Sequence, residues 1–189
     1  MNKIFKVFLI IFILFGFAFI PLNQAFAMKW NRSLVMIYIP QDETYAPKMR
    51  QAIAEWQKYT KKMSIMTTSQ KRDLPLVEVE TEFNKLIGEN VKNSCSVSFA
   101  YSSNYFRHAK IVININETPE VLADSDKKQE NDDEIYTVML KSVGNMLGVP
   151  QSDDKRSVMY SCYEKGQKIL PSDVDNFMNV YGWPVKKTN

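Results

Sequence analysis

Short runs of alternating apolar and polar residues dominate the first two thirds of the chain and predict β-strands. The run at 33–39 is apolar on both alternating faces and is bounded by Pro40, which is typical of a central strand covered on both sides. Four further strands are predicted after it, at 63–67, 76–80, 96–101 and 111–115. The pattern therefore predicts a sheet of about five strands.

Three stretches have the 3.6-residue period of amphipathic helices. The apolar face of the first consists of Tyr45, Met49, Ala52, Ile53, Trp56 and Tyr59. Thr44 is the candidate cap of this helix, as Ser172 is for the third helix, which is predicted at 173–181. The second helix is predicted at 135–147, and Gly148 suits the left-handed position that follows a helix end.

A polar segment at 123–134, with six acidic residues and two lysines, separates the last strand from the second helix. Four of its carboxylates offer oxygen ligands of the kind that calcium prefers: Asp124, Asp126, Glu130 and Asp132. Their spacing matches no defined calcium loop. We therefore predict a solvated loop, with Asp132 or Asp133 capping the helix that follows.

Residues 1–27 differ in composition from the rest of the chain. Lys3 and Lys6 precede an apolar run at 7–20, and a small-residue pattern follows at 25–27. This order is typical of a cleaved secretory signal peptide, which would place the protein in a secreted or extracytoplasmic location. The alternative is an uncleaved membrane anchor, although the run is short for a full span.

The remaining residues, 28–189, are predicted to form a single α+β domain, because they suffice for one ordinary core. Removing residues 1–27 takes away two of the 24 basic residues and none of the 21 acidic ones, which leaves a formal charge of +1. A nucleic-acid-binding protein would need a basic patch or stripe. Nucleic acid is therefore not an expected partner.

The chain contains two cysteines, Cys95 and Cys162. In an exported protein, an oxidising environment would favour a disulfide between them. Two separate buried thiols are the alternative, because the sequence gives no distance between the two residues. Both interpretations stay open.

One stretch, 141–160, has the layout of a zinc-protease active-site helix and the turn that follows it. In the pattern H-E-x-x-H-x-x-G-x-x-H, three histidines bind the metal and the glutamate acts on the metal-bound water. The corresponding sequence here is KSVGNMLGVPQ at 141–151, which keeps the glycine of the pattern as Gly148. SVMY follows at 157–160, and LPSDVDNFMNVYG at 170–182.

In order and spacing, these segments resemble the matrixin branch of the metzincin zinc metallopeptidases. Met159 stands where the family has the methionine of its methionine turn, and 170–182 is similar to the family's closing helix. The resemblance implies an α+β fold with a twisted mixed sheet of about five strands, two long helices and a C-terminal helix after the methionine turn. It also implies a zinc cofactor and a cleft that binds an extended peptide along a sheet edge.

The four positions that would carry the chemistry hold other residues: Lys141, Ser142, Asn145 and Gln151. An ammonium has no lone pair for a metal, the two amides are poor zinc ligands beside imidazole, and a serine hydroxyl is no general base near neutral pH. The chain contains one histidine, His108, so a shifted alignment cannot supply three. We therefore expect neither catalytic nor metal-binding residues, and no zinc or other cofactor.

The resulting hypothesis is an exported matrixin-like pseudoprotease, a non-enzymatic domain that binds a peptide or protein partner in its cleft. One alternative is an active zinc-dependent endopeptidase with unrecognised ligands. Another is a structural component of an envelope or an adhesion system. A membrane is an expected partner only if the segment at 1–27 is not removed.

Helix geometry directs positions 141 and 145 alike, which leads to a structural prediction about the first of them. We expect the ammonium of Lys141 to point toward the former metal position, near Asn145, Gln151 and Tyr160, the last being a candidate cleft residue. There it would partly replace the lost positive charge. A Lys141 on the outer, solvated side of the domain would refute this prediction.

Overall fold

The computed structural model describes residues 28–41, 45–70, 77–80, 94–102, 105–114, 121 and 123–185. Within these residues a mixed β-sheet packs on helices, so the predicted α+β class is confirmed at that level. The strands are β1 (Lys29–Trp30), β2 (Leu34–Tyr38), β3 (Ser64–Thr68), β4 (Val77–Glu80), β5 (Ser94–Ser102) and β6 (Tyr105–Asn114). The helices are α1 (Ala46–Gln57), α2 (Ser125–Met146) and α3 (Pro171–Tyr181).

The sheet has six strands in the described part of the chain, in the order β1-β6-β4-β2-β3, with β5 also paired to β6. Five of the strands pair in parallel, and β5 runs antiparallel to β6. The number exceeds the predicted five because β1, only two residues long, pairs separately with Tyr105 and Phe106 at the start of β6. β6 is therefore the strand on which β1, β4 and β5 meet.

β2 is a central strand, as predicted, but the prediction that both of its faces are covered is wrong. Val35 and Ile37 are fully buried, whereas Leu34 on the other face is 37% exposed. Met36 lies in register with Met66 of β3, whose side chain is 52% exposed. The helices therefore cover one face of β2, and apolar residues remain accessible on the other.

α1 buries the predicted apolar stripe and packs against α2. Trp56 is completely buried, and its indole Nε1 donates a hydrogen bond of 2.8 Å to the carbonyl of Leu140. The helix begins at Ala46 with Tyr45 as its N-cap residue, and the Tyr45 side chain makes no capping hydrogen bond. The predicted cap, Thr44, lies outside the described residues.

The predicted polar loop at 123–134 is wrong, because α2 already begins at Ser125. Its N-cap is Asp124, not Asp132 or Asp133, and one carboxylate oxygen of Asp124 accepts from the amides of the second and third helical residues at 2.9 and 3.3 Å. Lysine, glutamine and glutamate are good helix formers, so a charged segment can extend a helix without an apolar face. An ion pair of 3.0 Å between Asp132 and Lys48 holds this segment to α1.

α3 also begins earlier than predicted, at Pro171 with Leu170 as its N-cap. The capping carboxylate belongs to Asp173, whose Oδ2 accepts from the amide of Leu170 at 2.8 Å, and Ser172 is not the cap. Proline suits the first helical position because its missing N–H has no partner there. The predicted end at Gly182 is confirmed by its left-handed φ of 65°.

The start of the described chain is tied to the ends of α2 and α3. Trp30 is 2% exposed, and its indole Nε1 donates to the carbonyl of Met146 at 2.8 Å. The Tyr181 hydroxyl accepts from the amide of Trp30 at 3.3 Å and donates to the carbonyl of Leu147 at 3.0 Å. Burial raises the pKa of Tyr181, so the phenol keeps the proton that it donates.

Within the described residues, no helix has both the length and the apolar content needed to cross a membrane. The segment at 1–27 lies outside those residues. Its interpretation as a signal peptide, and the location that follows from it, stay predictions.

Candidate functional site

The C-terminal part of α2 carries three of the four degenerate positions. Lys141 and Asn145 lie one helical turn apart and are both half-buried. The chain then turns at Gly148, which has a φ of 83°. A Cβ atom there would lie 2.2 Å from the carbonyl oxygen of Met28, so only glycine fits. The fourth position, Gln151, follows this turn and is exposed.

Lys141 joins α2 to the turn at 157–161. Its ammonium donates hydrogen bonds of 2.6 Å to the backbone carbonyls of Tyr160 and Ser161. The predicted approach of Lys141 to Tyr160 is therefore found, at the backbone rather than at the phenol ring. Charge-assisted hydrogen bonds are about twice as strong as neutral ones, so this contact is a substantial link between helix and turn.

Ser142, at the position of the missing glutamate, faces the interior. It is 2% exposed, and its hydroxyl donates a hydrogen bond of 2.7 Å to the carbonyl of Val138, one turn earlier on α2. A serine in this arrangement satisfies its own hydroxyl within the helix. Ser142 is thus part of the packed helix and offers no group for acid–base chemistry.

Met159 lies beneath α2 and is completely buried. A Cβ atom at Gly144 would lie 2.5 Å from its sulfur and 2.8 Å from Cζ2 of Trp56. The helix and the turn therefore approach each other as closely as they do because residue 144 has no side chain.

A buried pair of side chains fixes the turn to α3. The hydroxyl of Ser157 donates to Oδ1 of Asp173 at 2.7 Å and accepts from the amide of Met159 at 2.9 Å. Asp173 is completely buried, and its other oxygen caps α3 through Leu170. Both carboxylate oxygens therefore have donors, as a buried carboxylate requires. The sequence analysis assigned no role to Ser157 or Asp173. The acidic residue three positions after Leu170 is a signal for the capping contact of Asp173, but no such signal exists for its bond to Ser157.

The loop between Gln151 and the turn has its own electrostatic contact. The Arg156 side chain donates to both carboxylate oxygens of Asp154, at 3.0 and 2.7 Å. These hydrogen bonds lower the pKa of Asp154 to about 2. Nearby, the amide of Ser152 donates to the carbonyl of Met159 at 3.1 Å, so the loop and the turn are paired through their backbones.

β5 contacts α2, the helix that carries Lys141 and Asn145. Within the described residues β5 pairs only with β6, so its other edge carries backbone groups that no described strand pairs. Such an edge is a template for pairing with another chain. Three of the degenerate positions thus lie on a helix that contacts β5, the strand whose outer edge no described strand pairs.

Of the two open interpretations of the cysteines, neither fully describes Cys162, which carries a free thiol in this structure and is exposed rather than buried. The backbone of Cys95 pairs with Ile113 on β6, but the structure does not describe the side chain of Cys95. His108 lies on β6, half-buried and opposite Ala100.

Two segments of the sequence are candidates for metal ligands, the degenerate motif and the acidic segment at 124–132. In the part of the chain that is described, no three His, Cys, Asp or Glu side chains are grouped so as to hold a metal ion. The acidic segment belongs to α2, whose geometry spreads its carboxylates around the helix.

Comparison with known proteins adds no relative: no protein-family model matches this chain, and no curated protein does.

Proposed function

We propose that this protein is an exported, matrixin-like domain that binds an extended peptide or protein segment along β5 and does not hydrolyse it. The observation that carries the proposal is that β5, which contacts α2, has one edge that no described strand pairs. An extended segment can add to such an edge as a further strand, with main-chain hydrogen bonds providing affinity and neighbouring side chains providing specificity.

The chemistry of the four positions favours binding over hydrolysis. The Lys141 ammonium donates into two carbonyls, and the Ser142 hydroxyl donates into the helix. The Lys141 ammonium has no lone pair for zinc, the Ser142 hydroxyl is a neutral oxygen buried within the helix, and Asn145 and Gln151 offer only neutral amides. These residues do not fit a zinc ion.

The contacts that hold α2, the turn and α3 together would give a binding site a rigid support. Met159 and Gly144 lock the turn against α2, and the Ser157–Asp173 pair locks it against α3. A site supported by packed helices and buried hydrogen bonds loses little conformational entropy when it binds a partner. The ammonium of Lys141 adds a positive charge beside the turn, where it would favour an acidic segment over a basic one.

Two proline variants in β5 provide the experiment. Neighbouring residues of a strand direct their N–H groups to opposite edges, so of Ser96→Pro and Val97→Pro one removes an amide that faces β6 and the other removes an amide that faces the open edge. A peptide is first selected from a random display library on the purified protein. Its affinity and the urea unfolding of both variants are then measured.

The expected result is a division of effects between the two variants. The variant that unfolds at the wild-type urea concentration has lost the amide at the unpaired edge, and it should not bind the peptide. The destabilised variant has lost the amide that pairs with β6. Hydrogen exchange should show protection of alternate β5 amides when peptide is bound. Peptide binding that is unchanged in the stable variant contradicts strand addition along β5.

The zinc endopeptidase alternative makes a different prediction. It requires stoichiometric zinc in protein purified without added metal, together with casein cleavage that a chelator abolishes. Finding both overturns the proposal. The structural-component alternative instead predicts partners in an envelope pull-down that are retained equally by both proline variants.

A further inference from the structure

A groove lies between the chain that leaves α1 and the helix α3, and none of the four degenerate positions lines it. We refer to it as the α1–α3 groove. Its volume is about 600 Å³, which is within the range of roughly 300–1,000 Å³ typical of small-molecule sites. Its apolar floor consists of Tyr59, Ile169, Val174, Met178, Trp183 and Val185.

The residues of the apolar floor are half-exposed, and most of them pack against the hydrophobic core. Each of the six side chains of the floor has intermediate exposure, and Tyr59, Ile169, Met178 and Trp183 pack against the main core. Trp183 contacts Phe177 edge-on at a centroid distance of 5.4 Å, and its amide donates to the carbonyl of Met178 at 2.9 Å. The wall that Trp183 forms is therefore fixed before any ligand arrives.

The charge at the groove is uneven. Lys58, Lys61 and Lys62 line it from the chain just after α1, and Asp175 of α3 is the single acidic residue in the lining. Lys58 pairs with Glu55, and the ammonium of Lys62 lies 6.0 Å from the centre of the Trp183 ring. Cationic groups thus stand at one rim of an apolar floor.

We propose that the α1–α3 groove binds an amphipathic anion, namely a free medium-chain alkyl carboxylate. The aliphatic chain would lie on Met178, Val174 and Trp183, and the carboxylate would face the ammonium groups of Lys61 and Lys62. Apolar burial supplies the affinity, and the lysines select a negative headgroup over a neutral one. The groove is lined by no β5 residue, so this proposal and peptide binding are separately testable.

Decanoate is the probe, and two partial analogues are its controls. Butyrate has the carboxylate without the long chain, and octyl glucoside has the chain without the charge. Isothermal titration and tryptophan fluorescence of the purified protein should show saturable binding of one decanoate per chain. Both analogues should bind at least tenfold more weakly, because each lacks one of the two contributions.

Variants assign the binding to the groove. Lys61→Gln with Lys62→Gln should weaken decanoate binding by roughly tenfold, since it removes two ammonium groups from the rim. Lys155→Gln with Lys168→Gln is the matched control, because these exposed lysines do not line the groove, and should change affinity less than twofold. Val174→Trp should fill the groove and abolish binding.

Several results overturn the proposal. These are the absence of saturable decanoate binding, equal affinity for octyl glucoside, and an affinity that the double lysine variant and its control change equally. Vesicles of phosphatidylglycerol and of phosphatidylcholine separate a free ligand from a bilayer headgroup. Binding to the anionic vesicles without binding of monomeric decanoate would show that the lysines recognise a lipid surface, which also overturns the proposal.

Discussion

Gly144→Ala tests whether the close approach of α2 and the turn is real, because the sign of its effect on stability is decisive. In an open helix position, alanine in place of glycine raises the free energy of unfolding by about 1 kcal/mol. Here the new Cβ atom would lie 2.5 Å from the sulfur of Met159 and 2.8 Å from Cζ2 of Trp56. The sulfur belongs to a flexible side chain, but the indole is held by its hydrogen bond to Leu140.

Overpacking of this kind lowers the free energy of unfolding by about 1–3 kcal/mol, which exceeds the gain in helix propensity. We therefore expect Gly144→Ala to be less stable than the wild type in urea unfolding, by up to about 2 kcal/mol. Asn145→Ala, the next residue of α2 and half-buried, is the control, and it should be neutral or slightly stabilising.

A double-mutant cycle locates the clash. In a Met159→Ala background the methyl group that Gly144→Ala introduces has space, so the destabilisation caused by this substitution should shrink by at least about 0.5 kcal/mol. If Gly144→Ala unfolds at a higher urea concentration than the wild type, the packing of the turn under α2 is refuted.

Three further predictions concern other contacts. Lys141→Met should lower the free energy of unfolding by about 1–2 kcal/mol, because two carbonyls lose a charged donor. Lys165→Met, which removes an exposed ion pair, should change it by less than about 1 kcal/mol in the same urea assay. Equal effects of the two variants would contradict the hydrogen bonds of Lys141. Trp30→Phe should destabilise by about 1–3 kcal/mol in calorimetry, since it leaves a buried carbonyl without its donor, and an unchanged melting temperature would argue against that bond. The carboxyl of Asp154 should titrate by NMR near pH 2 and return toward its ordinary value in Arg156→Gln. Because its pKa is lowered, its contribution to stability is present above the ordinary carboxyl pKa and is lost as the pH falls toward about 2.

The pattern of the sequence predicts those elements that bury an apolar face. The alternation in the strands and the stripe of α1 place these elements within about two residues of their observed bounds, except that β6 begins at Tyr105, six residues before the predicted start at 111. The end of α2 is predicted because Gly148 has a local backbone role. The start of α2 is not, because its first ten residues are all charged or polar and leave no apolar period to detect.

In the candidate site, too, features with a local sequence signal could be predicted and long-range contacts could not. The direction of Lys141 follows from helix geometry alone, and so it could be predicted. The bond between Ser157 and Asp173 joins residues 16 positions apart, and no local pattern encodes such a contact. The α1–α3 groove likewise depends on three segments that meet only in the folded chain.

The bond between Trp30 and Tyr181 spans 151 positions of the chain. In a chain that emerges N-terminus first, Trp30 therefore precedes this hydrogen-bond partner by 151 residues. Until Tyr181 is available, its hydroxyl cannot link the backbone amide of Trp30 to the carbonyl of Leu147 at the end of α2. Loop-closure entropy for so long a separation must be overcome before this contact contributes, which delays completion of the fold. For the exported chain that we propose, this delay has a use, since translocation requires an unfolded polypeptide for as long as any of it remains to cross.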